Sequence, residues 1–297
     1  MAQLPSRNRR GSRRLALSVV GVAVVLTASL VLVIGASGPG SKSAAALVQL
    51  GARATLSQGS VQLKLSGSVV ASGQTIPLTG SGAANLSSRL DELDVAFSAS
   101  GTAVQESMVS DGSNIYMSFK ENGNDLISQL MPGKHWVGIS MGTSPSANLG
   151  TSTPNILSQL QMLTQQGNVV VALGGSTIDG QAVTGYQVTI GRKAMVAASK
   201  RMLALSGASA QSEQTILKSI STTSPPVLKI WIGADNLLRR ESVSVDATSL
   251  GAPVSTNMVV DFVNYGAPVS VAIPATNDVG SYSAFLAALS QSSTSLG

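Results

Sequence analysis

The chain has 297 residues, with 19 Lys and Arg against 14 Asp and Glu, one His and no Cys. Six of the basic residues and none of the acids lie in 1–46, which leaves 13 bases against 14 acids in the rest. Nucleic acid is therefore not an expected partner, because a nucleic-acid binder keeps its basic excess on the folded domain; the lack of Cys also removes disulfides, thiol catalysis and Cys-ligated metal.

In chain order, a basic tail at 1–14 carries Arg7, Arg9, Arg10, Arg13 and Arg14. An uncharged run of 22 residues follows at 15–36, opening on Leu15 and closing on Ala36. A membrane-spanning helix needs roughly 20 apolar residues and a cleavable signal core only about 7–15. The run reads as a transmembrane anchor or uncleaved signal, with the arginines cytoplasmic and the remainder exported. This predicts a single-pass protein of the cell membrane with an extracytoplasmic C-terminal domain. Cleavage near Ala44-Ala45-Ala46 would instead give a secreted domain. Residues 37–50 read as a linker, Gly/Pro/Ser-rich to 43 and then a brief helix or more spacer.

Period-two patterns then predict strands at 60–69, around Ile76 and Leu78, through Leu93, Val95 and Phe97, and through Ile115, Met117 and Phe119. Asp111-Gly112-Ser113-Asn114 reads as one of the turns between them. Segments 125–131 and 155–166 carry Ile and Leu at helical spacing, and strands return at 168–173 and 183–190. A helix at 192–206 is continued by 211–220 and stopped by Pro225-Pro226. Strands at 228–232, 239–245, 256–265 and 269–273 follow, and 282–289 reads as a helix or a frayed tail. The order is many strands, a helical interruption and more strands, without the strand–helix alternation of parallel sheets. It predicts an α+β protein with one antiparallel sheet and its helices on one face. Residues 51–275 form one domain, with 276–297 a C-terminal tail.

Three stretches carry a family resemblance. Gly133-Lys134-His135-Trp136-Val137 is similar to a Pro-Gly-Lys-Trp turn entering a strand. Residues 180–190, GQAVTGYQVTI, are similar to a G-x-x-V-x-x-Y-x-V-x-I hairpin. Residues 230–240, IWIGADNLLRR, with Asp261 to Val269, Ile273 and Pro274 are similar to a W-I-D-x-x-G-L-x-R-R…D-Y-G-x-P-V-x-I-x-x-P ending. Together they resemble the actinobacterial envelope lipoproteins of the LppX/LprG type, related in fold to the lipoprotein carrier LolA. The resemblance implies a single strongly curved, unclosed sheet, a half-barrel, with helices packed on its concave face. It also implies an apolar cavity between helices and sheet that takes a lipid or acylated ligand, and an envelope transport protein as partner. The chain departs from the pattern in two places: no Cys is available for lipidation, so the membrane segment must anchor or be cut, and Asn236 stands where the usual turn has Gly.

Strand-face parity then selects Phe97, Met117, Phe119, Val188, Ile190, Ile230, Ile232, Val260 and Phe262 as cavity candidates, with Met195 and Met202 from helix 192–206. The same residues serve equally as ordinary core. Only 3% of the chain is aromatic, which suits alkyl chains better than the stacking platforms of sugar or oligonucleotide sites.

Chemistry-bearing residues are few. His135 lacks an evident nucleophile and reads as a solvated turn residue. Asp91, Glu92 and Asp94 could act as paired carboxylates or hold calcium, but read as a solvated strand edge. Arg239-Arg240 could meet an anionic head group, or lie with one arginine solvated and the other packed. No catalytic residue, metal site or cofactor is implied. The leading expectation is an envelope protein that holds or transfers a hydrophobic ligand. The alternative is a scaffolding domain that binds another envelope protein without a ligand cavity.

Overall fold

The computed structural model describes residues 43–71, 73–99, 101–140, 169–189, 227–246 and 254–294. The expected membrane run at 15–36, the helices at 155–166, 192–206 and 211–220, and Ile190, Met195 and Met202 lie outside them. Among the described residues no helix is long and apolar enough to cross a membrane.

Helix α1, Ala44–Leu56, starts inside the stretch expected as linker. Ser43 is its N-cap, and the Ser43 hydroxyl accepts from the Ala46 N–H at 3.2 Å. Val48, Gly51, Ala52 and Thr55 then fall at helical spacing and are all buried. A meander follows: β1 Ser60–Ala71, β2 Gln74–Asn85, β3 Leu90–Ala99, β4 Thr102–Ser110 and β5 Asn114–Glu121. The two-residue β6, Asn124–Asp125, leads into α2, Leu126–Leu130, where the Asp125 carboxylate accepts from the N–H groups of Ile127 and Ser128. After β7, Trp136–Ser140, come β8 Val169–Ile178, β9 Gln181–Thr189, β10 Val227–Gly233, β11 Leu238–Asp246 and β12 Val254–Val263. A 3-10 turn at Thr276–Asp278, the short β13 Val279–Ser281 and α3, Tyr282–Thr294, complete the described chain.

All the described strands join one 13-stranded sheet, ordered β13-β7-β5-β4-β3-β2-β1-β12-β11-β10-β9-β8 with β6 on β5. Pairing is antiparallel except between β13 and β7. The path runs from β13 to β8 without returning, so the sheet is unclosed. Its curvature is written in the glycines of the two central strands. A Cβ on Gly67, Gly80 or Gly82 would stand 2.2, 2.4 or 2.3 Å from a carbonyl oxygen of the neighbouring strand. Neighbouring strands wrap there more closely than any side chain permits.

Side chains alternate between a buried inner face and an outer one, as in Val61, Leu63 and Leu65 against Gln62 and Lys64. Helix α1 lies on the β8–β11 end of the inner face. There Gly51 leaves room for the Ile232 side chain, and the Thr55 hydroxyl accepts from the buried Leu238 N–H at 3.0 Å. The Tyr265 hydroxyl donates to the Leu238 carbonyl and closes that corner. Helix α3 lies on the opposite end, where the Phe285 ring stacks on Phe119 with centroids 5.9 Å apart.

Three expectations change, and one open reading is settled. Strand β4 escaped the alternation pattern because Glu106 occupies an inward position between Val104 and Met108. Segment 269–273 forms no strand; Pro268 and Pro274 bracket it, and residues 279–281 take the place beside β7 instead. The segment 282–289, read as a helix or a frayed tail, is part of helix α3, which puts Phe285 into the core with no exposure. Asp91 is buried rather than solvated, because it points inward between Ala84 and Ser110.

Candidate functional site

Three transverse rows cross the inner face. One runs Met117, Met108, Leu93, Gly82, Leu63 and Phe262. The middle row runs Phe119, Glu106, Val95, Gly80, Leu65, Val260, Glu241, Ile230 and Tyr186. The third runs Val104, Phe97, Leu78, Gly67, Met258, Val243, Leu228 and Val188. Each cavity candidate of the described strands except Ile232 falls in one of these rows, and Ile232 faces inward beneath α1. Met117, Phe119, Val188, Ile230, Ile232, Val260 and Phe262 are buried in one continuous cluster, and Phe97 packs half-buried against it.

The polar members of this face went unread in the sequence. Glu106 and Glu241 stand in the middle row, five strands apart, at 4% and 1% exposure. Burial pushes each carboxyl up to about 8. Asp91, beside the row of Ile115, Ser110 and Ala84, is likewise pushed up to about 8 by burial, against a lowering hydrogen bond from Ser110. Burial favours the neutral form of all three carboxyls. The Glu106 Oε1 and Asp91 Oδ1 atoms have no hydrogen-bond partner among the described residues. For Glu106 the available signal was an acid at an inward strand position between Val104 and Met108; Asp91 and Glu241 lack that signal, since Arg89 and Arg239 stand two positions before them.

The remaining chemistry lies elsewhere. His135 is exposed, with Nδ1 2.5 Å from Asp125 Oδ2 and Nε2 4.0 Å from Asp278 Oδ1. The hydrogen bond to Asp125 is the largest cause raising its pKa. Arg240 forms a two-pronged pair across the outer face with Asp261, at 2.5 and 2.9 Å. Arg239 pairs with Asp235 and lies 5.6 Å from the centre of the Tyr265 ring. Both arginines therefore have carboxylate partners. Asn236 adopts φ 62° in the β10–β11 turn, a conformation Asn tolerates in place of Gly. The acidic cluster divides: Asp94 is exposed and accepts from the Ser107 hydroxyl, while Asp91 is interior. Among the described residues no group of three or more His, Asp or Glu could hold a metal ion.

Two open depressions also occur among the described residues. One of about 460 Å³ lies on the outer side of β2–β4, lined by side chains such as Thr79, Ser81, Asp94 and Gln105. The other, of about 520 Å³, lies between β8, β9 and the start of the β10–β11 turn. Neither has the apolar lining of the inner rows.

No family model matches the sequence, and no curated protein matches it. Among solved structures the chain is similar to LprF from Mycobacterium bovis, at 16% identity and TM-score 0.39, covering 80% of this chain and 100% of that one. It is similar to the lipoprotein LppX from Mycobacterium tuberculosis, at 16% identity and TM-score 0.39, covering 78% and 100%. A putative outer membrane lipoprotein-sorting protein domain from Vibrio parahaemolyticus is similar at 8% identity and TM-score 0.26, covering 76% and 93%.

Proposed function

We propose that this protein is a membrane-anchored, extracytoplasmic binding protein that holds or transfers a lipid or other hydrophobic ligand against the concave face of its sheet. The observation that carries the reading is the composition of the three inner rows. They present aliphatic, methionine and phenyl groups across nine strands, with carboxyls whose neutral form burial favours. Alkyl chains gain roughly 0.8 kcal/mol per buried methylene on such a surface without directional demands. The proposed contacts to the ligand are Phe97, Met117, Phe119, Val188, Ile230, Ile232, Val260 and Phe262 of the described strands, together with the sequence candidates Ile190, Met195 and Met202, which lie outside the described residues. Residues 15–36 tether the domain to the membrane, where a transport protein delivers or receives the ligand.

Native mass spectrometry of the chain from residue 43 onward, followed by organic extraction, tests this reading. Near one co-purified lipid per chain is expected. A clean apo mass that stays unchanged after incubation with phospholipid vesicles would overturn it. A second reading, a scaffolding domain for another envelope protein, is favoured by Val169, Val171 and Leu173. These are 58%, 54% and 47% exposed along the outer side of edge strand β8.

A further inference from the structure

We propose that Glu106 is the polar anchor of the ligand site, its carboxyl donating a hydrogen bond to an ester carbonyl of an acylated, uncharged ligand whose chains lie along the same face. This inference rests on the reading that the concave face holds a hydrophobic ligand. Glu106 sits in the middle row between Val95 and Phe119, with the buried Val104 and Met108 before and after it on β4. It is 4% exposed, and its Oε1 has no hydrogen-bond partner among the described residues. A buried carboxyl in that condition is costly, and an apolar residue would satisfy the strand pattern at no such cost. The group is therefore kept for something that completes its hydrogen bonding.

The chemistry of that partner follows from the charge. Burial favours the protonated form of Glu106. The carboxyl then offers one O–H donor and one carbonyl acceptor. An ester carbonyl, which only accepts, matches the donor. No Lys or Arg stands in the middle row, so a phosphate placed there would be a buried anion without a counter-ion. The other acid of the row, Glu241, is five strands away, about 24 Å along the sheet at ~4.8 Å per strand. Among the described residues, Tyr282 of the helix packed above brings a titratable group whose pKa responds to Glu106. Asp91 is a weaker candidate because Ser110 already holds its carboxyl.

The test compares dioleoylglycerol with its dioleyl ether analogue, which has the same chains and hydroxyl but no ester carbonyls. Both compete for the full-length protein in alkyl maltoside micelles, which carry no ester themselves. The parent is expected to bind the ester about tenfold more tightly, the worth of one neutral hydrogen bond. Glu106→Leu should bind both equally, while Glu106→Gln, which keeps a donor, should retain the preference. Equal binding by the parent overturns the anchor while leaving the hydrophobic site standing, and needs no variant to fold. A preference that survives in Glu106→Leu overturns it as well. Binding of neither probe overturns the underlying reading of the concave face.

Discussion

Replacing Glu106 by Gln should stabilise the protein, and by an amount that grows with pH. In the folded chain burial pushes this carboxyl from 4.5 to about 8. Between those values the folded state keeps a proton that the unfolded state releases. The stability is thus full below pH 4.5 and falls as pH rises through the window, ending near pH 8. The slope is about 1.4 kcal/mol per pH unit, which accumulates to about 3 kcal/mol by pH 7. Gln keeps the shape of the side chain but cannot ionise, so Glu106→Gln removes this term. Asp91 and Glu241 titrate in both proteins and cancel in the difference. Tyr282, a titratable group that responds to Glu106, has its pKa raised further above its ordinary 10 and is silent in this range. Urea unfolding between pH 4 and pH 8, followed by the fluorescence of Trp136 and Trp231, measures the effect. The variant should match the parent within about 1 kcal/mol at pH 4 and exceed it by about 3 kcal/mol at pH 7. A difference that does not change with pH, or a variant less stable than its parent at pH 7, would refute the buried neutral carboxyl.

Further outcomes follow from the packing. Gly80→Val should cost more than about 2 kcal/mol, because its Cβ would stand 2.4 Å from the Asp94 carbonyl oxygen, while Gly175→Ala, whose Cβ would meet only the Val183 carbonyl oxygen at 4.0 Å, should stay within about 0.5 kcal/mol in the same unfolding assay. Thr55→Val leaves the buried Leu238 N–H without its acceptor, and thermal unfolding should register a loss of about 1–3 kcal/mol. Ile230→Ala should lose about 2–5 kcal/mol from the inner face, whereas Val171→Lys on the exposed side of β8 should change stability by less than about 0.5 kcal/mol.

Much of the sheet was legible because its alternation is plain. Val61, Leu63 and Leu65 against Gln62 and Lys64, or Ile115, Met117 and Phe119 against Tyr116 and Lys120, state both the strand and its inner face. The turn at Asp111 was equally readable, since its carboxylate accepts from the N–H groups of Ser113 and Asn114. Strand β4 was not, because Glu106 stands where an apolar residue marks the inner face. Helix α3 has few bulky apolar residues, and the partners of Phe285, Tyr282 and Leu289 are brought to it only in the folded state, Phe119 among them. The glycines that bend the sheet look like turn residues in the sequence; their role emerges only from the backbone oxygens beside them. The carboxyls of the site were hidden for a related reason. Asp91 shares an acidic cluster with Glu92 and Asp94, and strand pairing alone decides that it points inward.

The most direct test of the central claim is photo-crosslinking of the full-length protein in membranes of cells fed a diazirine-bearing fatty acid, with the labelled peptides mapped by mass spectrometry. Binding on the concave face predicts lipid adducts at inward residues of β5, β10 and β12, such as Met117, Ile230 and Phe262, in addition to any in residues 15–36. Adducts confined to residues 15–36 would contradict it.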